Sequence, residues 1–354
     1  MALKLTTWNV AHLSRVLPNP PADLQARFDG IVEEIEEIDP DVLSIVEGPG
    51  DILHMRDFVQ NGLNGRYRLV ERAGTDAALA ANPGDPRGAL KDLYGMQGTA
   101  LTGNQWIWFL VKPPLAASAS IVDLGIWRTM SGGATLPVHF WGDLRKKNHK
   151  HWRHPQVLVL DVDGLRIEII GVHLKSKFNT LTAFEADGTT LTEAFVTKAL
   201  RNRIKLASEA LDLRAYIEAR FRQEPDPAIF VVGDMNDGPG KELFEREYLF
   251  FDLISNVQGE VFFARRFLNH ALFDFVEDLR WSVVFKDKVD PERSPNILLD
   301  HILFTQRMVR EALLPRVEAG AGSVEHPIHE RINAVRNKKN QTSDHTPVSV
   351  TITR

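Results

Sequence analysis

Short apolar runs and amphipathic segments alternate along the chain. Apolar residues recur every three or four positions from Asp23 to Ile38 and from Glu193 to Arg222, which predicts two helices with one face against a sheet. The other apolar runs have the length of buried strands. These runs occupy 3–8, 41–46, 67–70, 106–111, 157–162, 166–172, 228–233, 302–305 and 347–353. A further helix is predicted near 241–247 and a further strand near 282–285.

The order of these elements predicts an α/β fold. The first helix ends at Asp39-Pro40, because proline disfavours helix in the residue before it, and a strand follows at once. Strands and helices that alternate in this way form layers in which helices cover a sheet. Three segments rich in glycine, proline and alanine, at about 72–104, 129–150 and 312–342, are predicted to be long loops around a functional site.

Composition narrows the class of protein. With 354 residues, of which 44% are hydrophobic, the chain can bury a large core. It has no cysteine, which excludes disulfides and thiolate metal sites and fits a reducing cytoplasm. The amino terminus lacks the features of a secretion signal, and no apolar stretch is long enough to cross a bilayer. A cytoplasmic protein without a membrane partner is therefore expected.

The positive charges are clustered, although the formal net charge is -5. Clustering matters more than the sum, because a local basic surface is enough to attract phosphates. A nucleic-acid partner is therefore expected. The first cluster contains Arg145, Lys146, Lys147, Lys150 and Arg153, and the second contains Arg331, Arg336, Lys338 and Lys339.

Six apolar runs meet acidic, amide or imidazole side chains. The strongest case is the run 228–232, which leads into Gly-Asp-Met-Asn-Asp-Gly and places Asp234 and Asn236 at the exit of a strand. The other positions are Asn9, Glu47, His173, Asp300 with His301, and Asp344 with His345. Because they extend from position 9 to position 345, a common site requires a single domain that spans 1–354. No independent module fits between them.

Strand direction sets a further condition on this site. Asn9, Glu47, His173 and Asp234 follow strands, whereas Asp300 and Asp344 precede them. They can meet at one edge only if the last two strands run opposite to the others. A mixed sheet, or a pair of sheets, is therefore predicted.

The residue types favour metal-assisted phosphate chemistry. Mg²⁺ prefers oxygen ligands and keeps several waters, so Glu47 with Asn9 and Asp344 nearby suits it. Phosphodiester hydrolysis also needs a proton acceptor and donors to the phosphate oxygens. Those groups can come from His345, Asp234, Asn236 and His173. Other chemistries lack their motifs: there is no Gly-x-Ser-x-Gly elbow and no zincin pair of histidines, and Gly240-Lys241 is followed by Glu where a Walker A motif needs Ser or Thr.

The chain resembles the endonuclease/exonuclease/phosphatase superfamily, whose fold is that of deoxyribonuclease I. The resemblance rests on motifs in family order: Thr-Trp-Asn9, Val-Glu47, Gly-Val-His173-Leu-Lys-Ser-Lys177, Gly-Asp234-Met-Asn236, Leu-Asp300-His-Ile and Ser-Asp344-His345. It covers almost the whole chain. It implies two packed mixed β-sheets flanked by helices, a four-layer sandwich.

The resemblance also implies a role for each site residue. It makes Glu47 the principal ligand of Mg²⁺ or Mn²⁺. Asn9 and Asp344 support the metal, His345 is the general base and Asp300 orients it. Asp234 and Asn236 position water and phosphate, and His173 donates to a phosphate oxygen.

A metal-dependent nuclease for DNA or RNA is the leading functional hypothesis. The residues expected to bind the phosphate backbone are Lys146, Lys147, Arg153, Lys175 and Lys177. The alternatives are a phosphoesterase for a small molecule or a lipid headgroup, and a non-catalytic binding protein. Asp237-Gly238 replaces the aromatic-Arg pair of inositol polyphosphate 5-phosphatases, which disfavours that lipid-headgroup activity.

Overall fold

The computed structural model describes residues 2–96, 105–140, 143–249 and 252–354. Its strands, in chain order, are β1 (Ala2–Asn9), β2 (Val42–Gly48), β3 (Arg68–Val70), β4 (Trp106–Val111), β5 (Ser120–Ile121), β6 (Leu136–Val138), β7 (Lys147–His149), β8 (Gln156–Val162), β9 (Leu165–His173), β10 (Ala228–Asp234), β11 (Asn269–His270), β12 (Val283–Val284), β13 (Asn296–Ile297), β14 (Asp300–Phe304), β15 (Arg316–Val324) and β16 (Val348–Thr353).

Helices cover these strands and connect them. The α-helices are α1 (Gln25–Ile38), α2 (Ile52–Asp57), α3 (Thr75–Ala81), α4 (Pro86–Lys91), α5 (Pro113–Ala116), α6 (Leu124–Met130), α7 (Glu193–Gln223), α8 (Ser255–Gln258) and α9 (His326–Asn333). Short π-helical turns lie at Phe58–Gly62 and Glu245–Leu249. Short 3₁₀ turns lie at Leu13–Arg15, Ala22–Leu24, Val261–Arg266, Glu277–Leu279 and Gln306–Val309.

Two mixed sheets form the centre of the fold. The described part of the chain gives one sheet in the order β15-β16-β1-β2-β4-β3 and another in the order β11-β14-β10-β9-β8-β5. In the first sheet β1 is parallel to β2 and antiparallel to β16. In the second, β10 is parallel to β9 and antiparallel to β14. The expected reversal of the last site strands is therefore confirmed.

Apolar side chains fill three interfaces, one between the two sheets and one between each sheet and the helices that cover it. The inner faces meet through residues such as Leu5, Ile169 and Phe230, all fully buried. Helix α1 covers the outer face of the first sheet, and α7 covers that of the second. Burial of both faces explains why strands such as β4, Trp-Ile-Trp-Phe-Leu-Val, are apolar throughout. The four-layer sandwich is confirmed.

Parts of the predicted loops are regular structure. The segment 312–342 contains β15 and α9, so that prediction is wrong for most of its length. Strand β15 contains Glu-Ala-Gly-Ala-Gly, which lacks an apolar alternation, and it forms because β16 supplies its hydrogen-bond partners. The segment 72–104 contains α3 and α4, and 129–150 contains the hairpin of β6 and β7. Residues 97–104 and 141–142 lie outside the described residues.

The two weaker predictions are only approximate. The helix expected near 241–247 is the π-helical turn Glu245–Leu249, and the strand near 282–285 is reduced to β12. The helices found in the described ranges are all too short or too polar to cross a bilayer.

Candidate active site

The polar side chains of the second sheet meet at one end of its inner face. Alternation along β10 places Asp234 on the same face as Phe230, towards the first sheet. The strand register aligns Asp234 with His173 on one side and with Asp300 on the other. The His173 Nε2 atom lies 3.5 Å from Asp234 Oδ2. The three residues therefore form one row across three neighbouring strands.

Asn9 joins this row from the first sheet. Its Nδ2 donates to Asp234 Oδ2 at 3.0 Å, although the two residues are 225 positions apart. Asn9 Oδ1 accepts from the amide of Ala11 at 3.0 Å, which fixes the orientation of the side-chain amide. The site thus lies between the two sheets, at the end where β1, β9 and β10 finish.

Glu47 reaches the site through a local distortion of β2. Strict alternation would place it with Leu43 and Ile45 on the helix-covered face. Instead the pairing with β4 is irregular between Ile45 and Gly48, and Glu47 has a φ of 61°. Such a bulge re-aims a side chain. Glu47 Oε1 consequently lies 3.9 Å from His173 Nε2.

Both oxygens of Glu47 are held by hydrogen bonds. The backbone amide of His12 donates to Oε2 at 2.9 Å, and Gln105 Nε2 donates to Oε1 at 2.9 Å. The His12 ring also lies near, with Nδ1 at 3.1 Å from Oε2. The carboxylate is therefore fixed in place before any ligand binds.

His345 and Asp300 form a buried pair. His345 Nδ1 lies 2.7 Å from Asp300 Oδ2, which also accepts from Ser282 Oγ at 2.8 Å. The backbone of His345 is held by Trp8, whose Nε1 donates to its carbonyl oxygen at 2.9 Å. The sequence prediction placed these residues in one site, and the structure brings them together.

Burial and charge shift the pKa values of three site residues. Burial alone would lower the pKa of His345, but the carboxylates of Asp300 and Asp234 outweigh it and raise this pKa to about 10. Burial raises the pKa of Asp234 to about 7, although the charge of His345 opposes this rise. Burial, with the positive charge of Arg153, holds the pKa of His173 well below its ordinary value. His173 is therefore neutral.

Asn236 and Asp344 occupy different environments. Asn236 adopts a φ of 53°; its amide donates to Asp234 Oδ1 at 2.7 Å and its Nδ2 donates to the Leu174 carbonyl at 3.0 Å. It joins the Asp234 turn to the end of β9. Asp344 is exposed beside His345, and no hydrogen bond connects it to Glu47 or Asn9 within the described ranges.

Two of the predicted phosphate-binding residues are engaged within the protein. Arg153 is buried and donates to the carbonyls of His173, at 3.0 Å, and Leu174, at 2.7 Å. The ammonium of Lys177 is buried beside Asp237, at 2.7 Å, with Glu242 and Glu245 a little farther away. These two side chains organise the loops behind the site, because burial and their partners occupy their donors.

The other three predicted phosphate-binding residues are accessible. Lys146 and Lys147 are exposed, and Lys175 is half-buried two residues after His173. Lys147 pairs with Asp143 at 2.7 Å. Burial and the nearby Arg153 lower the pKa of Lys175 to about 8.

Two supporting residues have no motif in the sequence. Arg27 is buried and donates to the carbonyls of Val10 and Ala11 after β1 and of Thr342 before His345. Gln105 connects Glu47 to Arg153, whose Nη1 donates to Gln105 Oε1 at 2.7 Å. Because their partners are distant in sequence, no local pattern identifies either residue.

The donor set fits a hard divalent cation. Glu47 supplies a carboxylate and Asn9 an amide oxygen, and these accept from the neighbouring backbone amides of His12 and Ala11, respectively. The described ranges contain no group of three histidine, aspartate or glutamate side chains arranged as a closed metal cage. Mg²⁺ needs no such cage, because it is bound by one or two carboxylates and retains several waters.

The sequence model of the Endonuclease/Exonuclease/phosphatase family matches residues 6–345. The chain belongs to this family. Its members generally use divalent metal ions, and the site contains the oxygen donors and imidazoles that hydrolysis of a phosphate ester requires. Comparison with curated protein sequences gave no significant match.

Solved structures share the fold at low sequence identity. The crystal structure of truncated TDP2 from Caenorhabditis elegans is 13% identical, with a TM-score of 0.51, and the match covers 100% of this chain and 98% of that one. An endonuclease/exonuclease/phosphatase family protein from Leptotrichia buccalis is 12% identical, with a TM-score of 0.51, and the match covers 99% of this chain and 100% of that one. At such identity the likeness concerns the fold alone.

Proposed function

We propose that the protein is a Mg²⁺- or Mn²⁺-dependent phosphodiesterase that cleaves nucleic acid. The observation that carries this proposal is the convergence of Asn9, Glu47, His173, Asp234 and the His345–Asp300 pair between the two sheets. Family membership supports the reaction class. Exposed lysines beside the site support a substrate with several phosphates.

The metal would be held by Glu47, with Asn9 and Asp344 as the further ligands that the sequence resemblance implies. When bound, it would polarise the phosphate and lower the pKa of a bound water. The hydrogen bonds from His12 and Gln105 fix Glu47, so the carboxylate does not have to reorganise on binding.

Proton transfer is assigned to Asp234 and His345, because Asp300 lies 2.7 Å from the His345 imidazole and is the register partner of Asp234. A group with a pKa near 7 is a good proton acceptor at neutral pH, and Asp234 meets this condition. His345 carries its own proton at neutral pH, because its pKa is about 10, and thus stabilises negative charge on the phosphate. In this proposal Asp234 takes the role of general base that the sequence resemblance assigned to His345.

Neutral His173 acts as a donor. Its Nε2 faces the carboxylates of Glu47 and Asp234, and its Nδ1 has no hydrogen-bond partner in the described part of the chain, so the proton belongs on Nε2. That N–H would donate to a phosphate oxygen bound beside the two carboxylates. The hydrogen bonds of Asn236 hold the Asp234 carboxylate in place near His173.

The test is release of acid-soluble fragments from single-stranded and double-stranded DNA and RNA, with Mg²⁺, with Mn²⁺ and with EDTA. Metal-dependent cleavage of at least one polymer is expected, together with its loss in His345→Ala. His54→Ala, on α2 outside the site, is the control and should cleave like the wild type.

Two other results would contradict the proposal. Hydrolysis of a small phosphoester or of a lipid headgroup without cleavage of any polymer would identify a different phosphoesterase. Binding of nucleic acid without hydrolysis of any substrate would identify a non-catalytic protein. The cytoplasmic location expected from the sequence stays a prediction, and fractionation of cells checks it.

A further inference from the structure

Three cationic side chains lie on one face of the amino-terminal half of α7. Lys198, Arg201 and Lys205 are spaced by three and four residues, so they are neighbours on the helix surface. Arg201 is exposed and the two lysines are half-exposed. No carboxylate of a described residue forms an ion pair with any of them within 4.0 Å. Their positive charge is therefore available to a partner.

These side chains meet the basic loop at the ring of Phe140. Arg201 Cζ lies 5.9 Å from the ring centroid, Lys205 Nζ lies 6.0 Å from it, and Lys147 Nζ of β7 lies 6.0 Å from it. Lys147 is the member nearest to an acid, Asp143. The ring holds the three cations together, and a helix and a hairpin thus contribute to a single positive surface.

Lys175 connects this surface to the active site. It lies two residues after His173, and its backbone amide donates to Glu209 Oε2 of α7 at 2.8 Å, while Glu209 Oε1 lies 2.8 Å from His149 Nε2 of β7. The end of β9 is thus joined to both α7 and β7. We call Lys147, Lys175, Lys198, Arg201 and Lys205 the cationic track.

An exposed aromatic ring stands beside the cationic track. Phe178 is 65% exposed, and its carbonyl accepts from Asn202 Nδ2 of α7 at 2.9 Å. It follows Lys177, whose ammonium binds Asp237 three residues after Asp234. Phe178 therefore lies on the segment that joins the site to α7, and most of its side chain is exposed.

The positive surface ends at the start of α7, where acidic residues adjoin it. An open cavity of about 710 Å³ is lined there by Glu185 and Glu193 together with Lys198 and Arg201. The two glutamates repel a polyanion, so it would bind on the side of the helix where Arg201 and Lys205 lie. From Lys198 to Lys205 the helix rises about 10 Å, so the charges act together within about one Debye length at physiological salt.

We propose that the cationic track binds a single-stranded nucleic acid, with phosphates on the cations and a base stacked on Phe178. Cations that follow a backbone beside an exposed ring are the features that bind single strands without sequence preference. A duplex keeps its bases stacked inside and cannot use Phe178. The inference rests on the proposed function, since it concerns how the substrate of that site is held.

The first experiment measures binding of a fluorescent twelve-residue oligothymidylate by anisotropy, in EDTA, over a series of salt concentrations. For Arg201→Gln with Lys205→Gln, Kd should rise about tenfold at low salt, and the salt slope should fall by about 1.4, since each lost contact removes about 0.7. Arg222→Gln is the matched control, on the same helix about 30 Å away. A double variant whose Kd lies within twofold of that control would overturn the cationic track.

The second experiment tests stacking. Phe178→Ala should weaken binding of the oligothymidylate by about tenfold while the salt slope stays unchanged. Phe262→Ala, a ring that is 88% exposed elsewhere, should bind like the wild type. If duplex DNA binds as tightly as the single strand, or if Phe178→Ala binds normally, the single-strand assignment is wrong.

Failure of this inference differs from failure of the proposed function. Binding is measured without metal, so it does not depend on catalysis. Normal cleavage with an unchanged Kd in the double variant would refute binding by the cationic track and leave the proposed nuclease activity intact. Tight binding to the cationic track without cleavage of any polymer would refute the proposed nuclease activity and leave binding by the track intact.

Discussion

Glu47 shows how one backbone conformation places a candidate metal ligand. Its φ of 61° is uncommon for a residue with a side chain and costs conformational energy. The bulge in β2 and the hydrogen bonds from His12 and Gln105 maintain it. Asn236, with a φ of 53°, is held similarly beside Asp234. These two residues lie in the site, and strain of this kind is common at functional sites.

Removal of either proton-transfer candidate should abolish turnover. We expect Asp234→Ala and His345→Ala to reduce kcat by about 10²- to 10⁴-fold, the usual contribution of a positioned acid or base. Initial rates on the best substrate from the polymer assay measure this, with circular dichroism to verify folding. Turnover near the wild-type rate in either variant would show that the assigned residue does not act in the reaction.

Glu245 should make stability depend on pH. Burial, with Lys177 opposing, raises its pKa in the folded protein to about 7 from 4.5. A raised carboxyl pKa gives a contribution that is complete below about pH 4.5 and is lost as the pH rises through 7. Glu245→Gln removes this loss. The free energy of unfolding of Glu245→Gln minus that of the wild type should therefore increase from pH 5 to pH 8, by up to about 3 kcal/mol.

Urea denaturation of both proteins at several pH values measures this difference. Glu260→Gln, an exposed carboxyl, is the control and should follow the wild type at every pH. A difference between Glu245→Gln and the wild type that is constant, or that decreases with pH, would contradict the assigned pKa.

At the scale of elements, the contact between β9 and β10 fixes the row His173, Asp234 and Asp300. Gly233 lies in this contact with a φ of 130°. A Cβ there would stand 2.1 Å from the carbonyl oxygen of Val172, a backbone atom that cannot turn away. The two strands approach closely because this position has no side chain.

Gly233→Ala should consequently separate β9 from β10. We expect the free energy of unfolding to fall by more than about 2 kcal/mol, because a backbone clash adds to the strained φ. Activity should fall as well, because the row of His173, Asp234 and Asp300 depends on this contact. Gly164→Ala is the matched control: its φ is 81°, but nothing lies within 4 Å of the added Cβ. That control should lose only about 1 kcal/mol. Equal losses of unfolding free energy in the two variants would contradict the packing argument.

At the scale of the molecule, metal binding should stabilise the fold as a whole. A ligand that binds only the folded state adds RT ln(1 + [L]/Kd) to the free energy of unfolding. Millimolar Mg²⁺ should therefore raise Tm of the wild type. Glu47→Gln should lose most of this rise, since the carboxylate is the principal ligand proposed.

Differential scanning fluorimetry with and without Mg²⁺ checks the prediction. Glu260→Gln should keep the wild-type response. An equal rise of Tm in Glu47→Gln and the wild type would place the metal elsewhere.

Local patterns in the sequence predicted most of the sheets and the long helix. Strands β1, β2, β4, β8, β9, β10 and β16 are apolar runs bounded by polar turns, so their signal is contained in a few residues. Strand β15 was missed, because its sequence is not strand-like and the adjacent β16 determines its conformation. The π-helical turn Glu245–Leu249 differs from the expected ordinary helix for a similar reason: its buried ion pair joins Glu245 to the distant Lys177.

The sequence by itself predicted that Asn9, His173 and Asp234 would meet at the ends of their strands, and the structure brings them together. This was possible because alternation along a strand and the residues that follow it are local properties. The tertiary structure alone decided that Glu47 is turned into the site, that Lys177 and Arg153 are engaged inside the protein and that α7 meets the basic loop at Phe140. Each depends on contacts between residues far apart in the chain, and no local pattern records such contacts.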